Sequence, residues 1–216
     1  MTHLKRQQVP KRWPIPRKGT KFVVRPNFNP QKGIPILIVL RDMLKVCQNR
    51  KEVKRAIHEK KILVNGKEAK DEKNPLLIFD TITIVPSNKS YRVGLSENGK
   101  YCMEEIKTEE AGYKINKVGD KKVLKGKKIQ INLKDGKNFL SEAKCNVGDS
   151  VLVNLKTKKI EKCLPLKEKA KILVVEGKHS GEKGVIEKLD REGKFVIVEF
   201  GGKKINILIK QIVVVE

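Results

Sequence analysis

Two adjacent glutamate pairs, Glu104-Glu105 and Glu109-Glu110, three scattered histidines, His3, His58 and His179, and four cysteines, Cys47, Cys102, Cys145 and Cys163, are the side chains of this sequence best suited to acid–base, nucleophilic or metal chemistry. Their spacing suits none of it. Neighbouring carboxylates point different ways, and with lysines close by they read as solvated turn charge rather than as an acid and a base sharing one substrate. His179 stands between Lys178 and Ser180 with no acid in view to orient its ring. No GxxxxGK[ST] phosphate loop, GxGxxG turn, HExxH helix or GxSxG elbow occurs. The cysteines form no CxxC pair, so neither a zinc site nor a disulfide framework is expected; they read as buried or half-buried thiols in a reducing compartment. The sequence therefore predicts no catalytic residue, no metal site, no cofactor and no small-molecule substrate.

What remains is chemistry with phosphate. The 216 residues carry 49 lysines and arginines against 25 acids, a formal charge of +24, and self-repulsion of that size is relieved by a polyanion. Between Lys171 and Phe200 the chain reads KILVVEGKHSGEKGVIEKLDREGKFVIVEF, with Gly177, Gly181 and Gly184 set between two β-like runs. Gly177 and Gly184 allow a tight reversal and close backbone approach, so that Lys178, His179 and Lys183 can meet phosphates or splayed bases; the same glycines can also serve the turn alone. A folded RNA fits better than duplex DNA, because no long basic recognition helix or symmetric dimer element is present. A membrane fits worse. IPILIVL, Ile34 to Leu40, is far too short to span a bilayer, and the N-terminus lacks the apolar run of a signal peptide, which predicts an intracellular protein.

Those basic residues need supports. Residues 1–32 hold Lys5, Arg6, Lys11, Arg12, Arg17, Lys18, Lys21, Arg25 and Lys32, five prolines and no acid. Such a segment forms no long helix and buries little, so it is expected to be an extended arm that orders on a partner. Trp13 within it either stacks on a nucleobase or pins the arm to the protein, the second being favoured. From Ile36 to Cys47 the apolar Ile36, Leu37, Val39, Leu40, Met43, Leu44 and Cys47 fit a helical period, with Arg41, Asp42 and Lys45 facing out. A second helix starts at an Asn49 cap with Glu52 three residues on, buries Val53, Ala56 and Ile57, and ends near Lys60. Its far face presents Arg50, Lys51, Lys54, Arg55 and His58.

Asn65-Gly66 then marks a hairpin, followed by a loop around Pro75 and a strand from Thr81 to Val85. Beyond Ser87, alternation in KKIQINL and DSVLVNL, with turns at Asn98-Gly99, Asp135-Gly136 and Gly148-Asp149, predicts short strands in a small barrel or sandwich. A helical turn capped by Thr108 is expected from Thr108 to Lys114. Asp80-Thr81 and Asp149-Ser150 lead into strands in the same way. Residues 170–216 hold five alternating runs, the length and rhythm of an SH3-like barrel.

Several of these stretches resemble known motifs. Val175, Gly177, Gly181, Gly184 and Ile186 follow the V-x-G-x-x-x-G-x-x-G-x-[IV] run of a KOW motif. LRDMLKVCQNRKEVKRAIHEKKILVNGKEAKDEKNPLLIFDTITI resembles an S4-type RNA-binding domain, a helix pair leading into hNGK and D[ST]I. Taken in order with HLKR, PKRW, RPNFNPQK, YRVGLSENGKYCMEEIKTEEAGYKINKV and VGDSVLVNLKTKKIEKCL, they are similar over essentially the whole chain to archaeal and eukaryotic small-subunit ribosomal protein four of the e-type. That resemblance implies a structural, non-enzymatic protein of the cytoplasmic ribosome, contacting small-subunit rRNA through the arm, the S4-type domain and the KOW-bearing end, beside neighbouring small-subunit proteins. Asn29-Pro30-Gln31 stands where the family tends to have Gly-Pro-His, so no histidine contact is carried over. An end at Glu216 without the long basic extension of eukaryotic members, together with heavy use of lysine, favours an archaeal-type member.

The expected fold class is α+β: a basic N-terminal arm (1–34), a small S4-type helix-pair and sheet domain (35–87), a central β-rich domain (88–167) and an SH3-like KOW β-barrel (168–216). The expected RNA contacts are Lys5, Arg6, Lys11, Arg12, Arg17, Lys18 and Arg25 from the arm, Arg41, Lys45, Arg50, Lys51, Lys54, Arg55 and Lys60 from the helical domain, and Lys178, His179 and Lys183 from the glycine loop. Arg50, Lys51, Lys54 and Arg55 stand foremost, because a helix holds them rigidly. Two rivals remain. An RNA-modifying enzyme carrying an S4-type domain lacks a catalytic domain after Ser87, and a KOW-bearing transcription or RNA-binding factor outside the ribosome leaves the arm and the S4-type domain unexplained.

Overall fold

A computed structural model describes residues 3–125, 128–140, 144–190 and 194–215. The first two residues of the expected arm, and Gly193 at the start of the third C-terminal run, lie outside the described residues. The chain is built mostly of strands with few helices, and it divides into two compact units, residues 1–96 with 100–112, and residues 97–99 with 113–216. Among the described residues no helix is long and apolar enough to cross a membrane.

The first unit runs β1 (Leu4–Lys5), β2 (Phe22–Val23), β3 (Ile34–Pro35), α1 (Ile36–Ile38) continuing into a π-helical turn (Val39–Met43), α2 (Arg50–His58), β4 (Ile62–Val64), β5 (Lys67–Glu68), β6 (Pro75–Leu76), β7 (Thr81–Ile84), β8 (Lys89–Leu95) and β9 (Tyr101–Ile106). An antiparallel sheet in the order β5-β4-β7-β8-β9 is joined by the two-stranded ribbons β1-β2 and β3-β6. Its core gathers around Ile34 to Leu40, a stretch buried at every position. A segment apolar on every side belongs inside, and its periodicity then carries no information about a face. The helix expected over Ile36–Cys47 is accordingly shorter and wider. Leu44 N–H donates to the Val39 carbonyl, Val46 N–H reaches back to Leu40, and Lys45 closes the turn at a left-handed φ of 54°. Arg41 and Asp42, expected to face out, are half-buried and paired at 2.8 Å.

Local signals fare better in the next stretch. The Asn49 side chain accepts from Glu52 N–H at 3.0 Å, while the Glu52 carboxylate receives Gln48 N–H at 2.6 Å and the Asn49 amide at 2.7 Å, so the capping box closes one residue earlier than the usual pattern. Val53 and Ile57 are buried beneath α2, with Ala56 partly buried against the same core. Asn65 and Gly66 take φ values of 51° and 73°, as the hairpin turn requires. The turn is then tied across the sheet: the Asn65 amide donates to Asp80 Oδ1 at 2.7 Å, Thr81 N–H donates to Asn65 Oδ1 at 3.0 Å, and Leu77 N–H donates to Asp80 Oδ2 at 2.7 Å.

Three expectations change here. β8 pairs with β7 and β9 with β8, so the boundary expected between residues 87 and 88 cuts through one sheet. The helical turn expected at Thr108 to Lys114 shrinks to a 3-10 turn at Glu110–Gly112, and a strand begins at Tyr113. The arm, expected to bury too little to order alone, places Leu4, Val9 and Trp13 in the core of the first unit. Trp13 is 2% exposed and its indole N–H donates to the Gly33 carbonyl at 3.1 Å, so it pins the arm rather than offering its face.

The second unit holds β10 (Tyr113–Val123), β11 (Ile129–Leu133), β12 (Asn138–Leu140), β13 (Ser150–Asn154), β14 (Lys159–Leu164), β15 (Lys171–Val174), β16 (Lys183–Asp190), β17 (Phe195–Phe200), β18 (Lys203–Leu208) and β19 (Ile212–Val214). They form two antiparallel five-stranded arrays, β12-β11-β10-β13-β14 and β18-β17-β16-β15-β19. β10 serves two partners, pairing with β13 along Tyr113 to Lys117 and with β11 from Val118 onward, with a register shift between Val118 and Asp120 where the strand bulges. The boundary expected at residues 167 and 168 does not separate the arrays, which share one compact unit. Asp149 Oδ1 accepts Leu166 N–H at 2.9 Å and Ser150 Oγ accepts Val214 N–H at 2.9 Å. Lys117, buried on β10, donates to the carbonyls of Ile209 and, at 2.7 Å, Ile212.

Candidate nucleic-acid interface

Pairing of β1 with β2 folds the arm back on itself, with Arg6 placed to hold the loop between them. Its Nε donates to the Thr20 carbonyl at 2.7 Å, Nη2 to Thr20 Oγ1 at 2.8 Å and Nη1 to the Pro16 carbonyl at 2.7 Å. Gly19, at φ 136°, lets the loop come this close, since a Cβ there would lie 3.2 Å from the guanidinium carbon. The acceptors are all neutral, so the loop is fastened while the positive charge survives. Beside it opens a cleft of about 1110 Å³ lined by Arg6, Lys18, Arg25, Arg41, Arg50 and Lys73, with Asp42 the one carboxylate among the described residues of its lining. Arg41 is paired with Asp42 and Arg50 with Glu72, and the cationic excess that is left on this concave surface suits an anion. A smaller cleft of about 260 Å³ gathers Arg6 with Lys11, Arg17 and Lys100.

The ridge of α2 is less free than its sequence suggests. Glu72, 5% exposed, takes Arg50 Nη2 at 2.6 Å and has Lys54 Nζ at 3.9 Å. Glu59 binds Lys61 at 2.5 Å and Arg55 at 2.7 Å. Hydrogen bonds from Lys61 and then Arg55 hold the Glu59 carboxyl down at about 2. Lys60 ends the helix at φ 57° and pairs with Glu68 at 3.1 Å. Among the described residues Lys51 is the member of the foremost four that makes no ion pair. Lys5, Lys11, Arg17 and Lys45 are exposed, and Arg12 is half-buried with its carbonyl accepting Tyr101 N–H at 2.9 Å.

The glycine loop is braced from inside. Gly177 and Gly181, at φ 97° and 98°, make the reversal. Gly184, expected to share it, instead lies extended in β16, where a Cβ would meet Glu199 O and Val198 Cγ1 at 2.7 Å and Phe200 Cε1 at 2.8 Å; glycine is needed there for close packing on β17. His179 does have an acid partner, Glu182 Oε1 at 3.1 Å from its Nδ1, and it stacks on Phe200 with ring centroids 6.2 Å apart. Lys178 and Lys183 are the exposed cations of this loop.

Lys100 of the smaller cleft and two residues of the larger one escaped the reading of the sequence. Lys73 comes to the cleft from the loop before β6, a placement that no local pattern encodes. Phe22 also lines the cleft and is 47% exposed. Its flanking by Lys21 in a segment without acids was the available signal.

A family model described as Ribosomal family S4e matches residues 87–160, and one described as the RS4NT (NUC023) domain matches residues 2–30. Proteins named small ribosomal subunit protein eS4 are similar along most of the chain. The one from Methanocella arvoryzae is 38% identical over 190 residues, covering 87% of this chain and 80% of its own length. The one from Methanothermobacter thermautotrophicus is 34% identical over 220 residues, covering 99% and 91%. The crystal structure of the 30S ribosomal protein S4e from Thermoplasma acidophilum superposes with a TM-score of 0.72 at 25% identity, covering 85% of this chain and 95% of that one.

Proposed function

We propose that this chain, which belongs to the ribosomal family S4e, is a structural constituent of the small ribosomal subunit that binds and stabilises folded rRNA in the cytoplasm, beside other small-subunit proteins and without catalysis. The observation that carries the mechanism is the cleft of the first unit, where the arm supplies Arg6, Lys18 and Arg25 and the helical segment supplies Arg41 and Arg50 to one concave surface. Phosphate contacts of this kind position a protein on RNA through charge and shape. Two further details belong to the proposal. The helix pair and strands of residues 35–87 act as an S4-type module, supported by the capped helix and the Asn65–Asp80 interlock. The array β18-β17-β16-β15-β19 acts as an SH3-like KOW module, supported by its five short strands and by the reversal at Gly177 and Gly181. Lys178 and Lys183 are its proposed phosphate contacts, and Lys5, Lys11, Arg12, Arg17 and Lys45 add to those of the first unit.

The test is sedimentation of native lysate through sucrose gradients at moderate and high salt, following the chain by mass spectrometry. Retention in the small-subunit peak at both salts is expected; a chain found near the top, or travelling with polymerase, overturns the reading in favour of a factor outside the ribosome. Neutralising Arg50, Lys51, Lys54 and Arg55 together is expected to flatten the salt dependence of rRNA binding by about 0.7–0.9 log units for each phosphate that the protein no longer neutralises. An unchanged slope removes α2 from the interface.

A further inference from the structure

We propose that Phe22, with His3 at its side, is a stacking shelf for an unpaired nucleobase of the RNA whose phosphates occupy the adjoining cleft; the proposal deepens the rRNA-binding reading and rests on it. Phe22 and His3 line the same cleft as Arg6, Lys18 and Arg25. The two rings lie 5.3 Å apart at 47°, and Lys21 Nζ stands 5.6 Å from the Phe22 centroid. Proteins that hold unpaired RNA combine these parts, a π face for the base within a nucleotide's reach of cations for the backbone.

The backbone beneath the ring is also tied down. Phe22 pairs with Lys5 across the β1-β2 ribbon, its carbonyl accepts Thr20 Oγ1 at 3.1 Å, and Arg6 fastens that same Thr20. Single exposed apolar side chains are ordinary, so exposure alone singles out nothing. Phe28 is more exposed, at 55%, but does not line the cleft, which makes it the natural control. An apolar protein segment is the poorer occupant, because Arg6, Lys18, Arg25 and Lys73 interrupt the apolar lining and would have to be buried beneath it. A polyanion that also carries flat rings matches both halves of the surface.

The full-length protein is titrated into two labelled decamers of equal charge, oligoadenylate and an abasic ribose-phosphate chain, with binding read by fluorescence anisotropy. The wild-type chain is expected to prefer the decamer with bases by roughly 5- to 150-fold, the range for stacking one base on an aromatic side chain. Phe22→Leu is expected to abolish that preference while leaving abasic affinity unchanged; Phe22→Tyr and Phe28→Leu are expected to keep it. A preference that survives Phe22→Leu overturns the shelf and leaves the ribosomal reading standing, since that reading fails separately, by absence from the small-subunit peak. A measurement on the wild-type chain guards against a variant that does not fold. Irradiation with a 4-thiouridine decamer is expected to crosslink the peptide carrying Phe22, and crosslinking only elsewhere overturns the proposal.

Discussion

Asp80 is 4% exposed, yet both its carboxylate oxygens are engaged, one by the Asn65 amide and the other by Leu77 N–H. Asp149 repeats the arrangement in the second unit, accepting Asn146 N–H at 2.8 Å and Leu166 N–H at 2.9 Å. A buried carboxylate is tolerable when charge-assisted hydrogen bonds replace water, and deleting it strands the donors. Asp80→Ala is therefore expected to cost about 3 kcal/mol in urea unfolding, with Asp80→Asn recovering part; a loss below about 1 kcal/mol would mean that water serves the donors equally well. At this scale the sequence was informative where partners are close along the chain. The two aspartate-to-strand turns, the Asn49 cap and the Asn65-Gly66 hairpin were all legible. Arg6 binding Thr20 across 14 residues, and Arg50 binding Glu72 across 22, were not, because a single cation carries no local mark of which acceptor the fold will bring to it.

Among elements, the five C-terminal strands could be read from alternation, whereas the turn after α1 could not, since a stretch buried all round shows no face. β10 carries the feature that alternation hides. Lys117 points inward to two carbonyls, and a neutral amine has two N–H groups to match them. Burial, then repulsion by Lys134, lowers its proton affinity to about 7, against attraction by Glu176 and Asp149. The sign follows from linkage: between about 7 and 10.5 the unfolded lysine holds a proton that the folded one has released, so stability rises with pH across that window. Below about 7 both states are protonated and the fold bears the full burden of the buried charge. Urea midpoints measured from pH 6 upward are expected to show this rise (roughly, the window set by the shift), and Lys117→Met to remove it. A parallel pH profile for the two proteins would place the titration elsewhere.

For the whole chain, a formal charge of +24 was enough to point to a polyanion. Composition also suggested that residues 1–32 would be an appendage, because prolines and cations outnumber apolar residues there. The structure differs because a few anchors suffice. Leu4, Val9 and Trp13 enter the core, Ile15, Val23 and Val24 pack against it, and Arg6, Lys11, Arg17, Lys18 and Arg25 are left to line the clefts. Trp13→Ala is accordingly expected to destabilise the first unit by about 3–5 kcal/mol, as for other buried tryptophans; a tail that merely hangs from the domain predicts a change within about 0.5 kcal/mol. The anchoring has a consequence in time. The Arg12 carbonyl is met by the N–H of Tyr101, which is synthesised nearly ninety residues later. At roughly 5–20 residues per second, that delay is about 5–18 s. Throughout it a nascent chain trails its polycationic end without the strand that fastens it, and any RNA or chaperone that captures the segment in that interval competes directly with its docking.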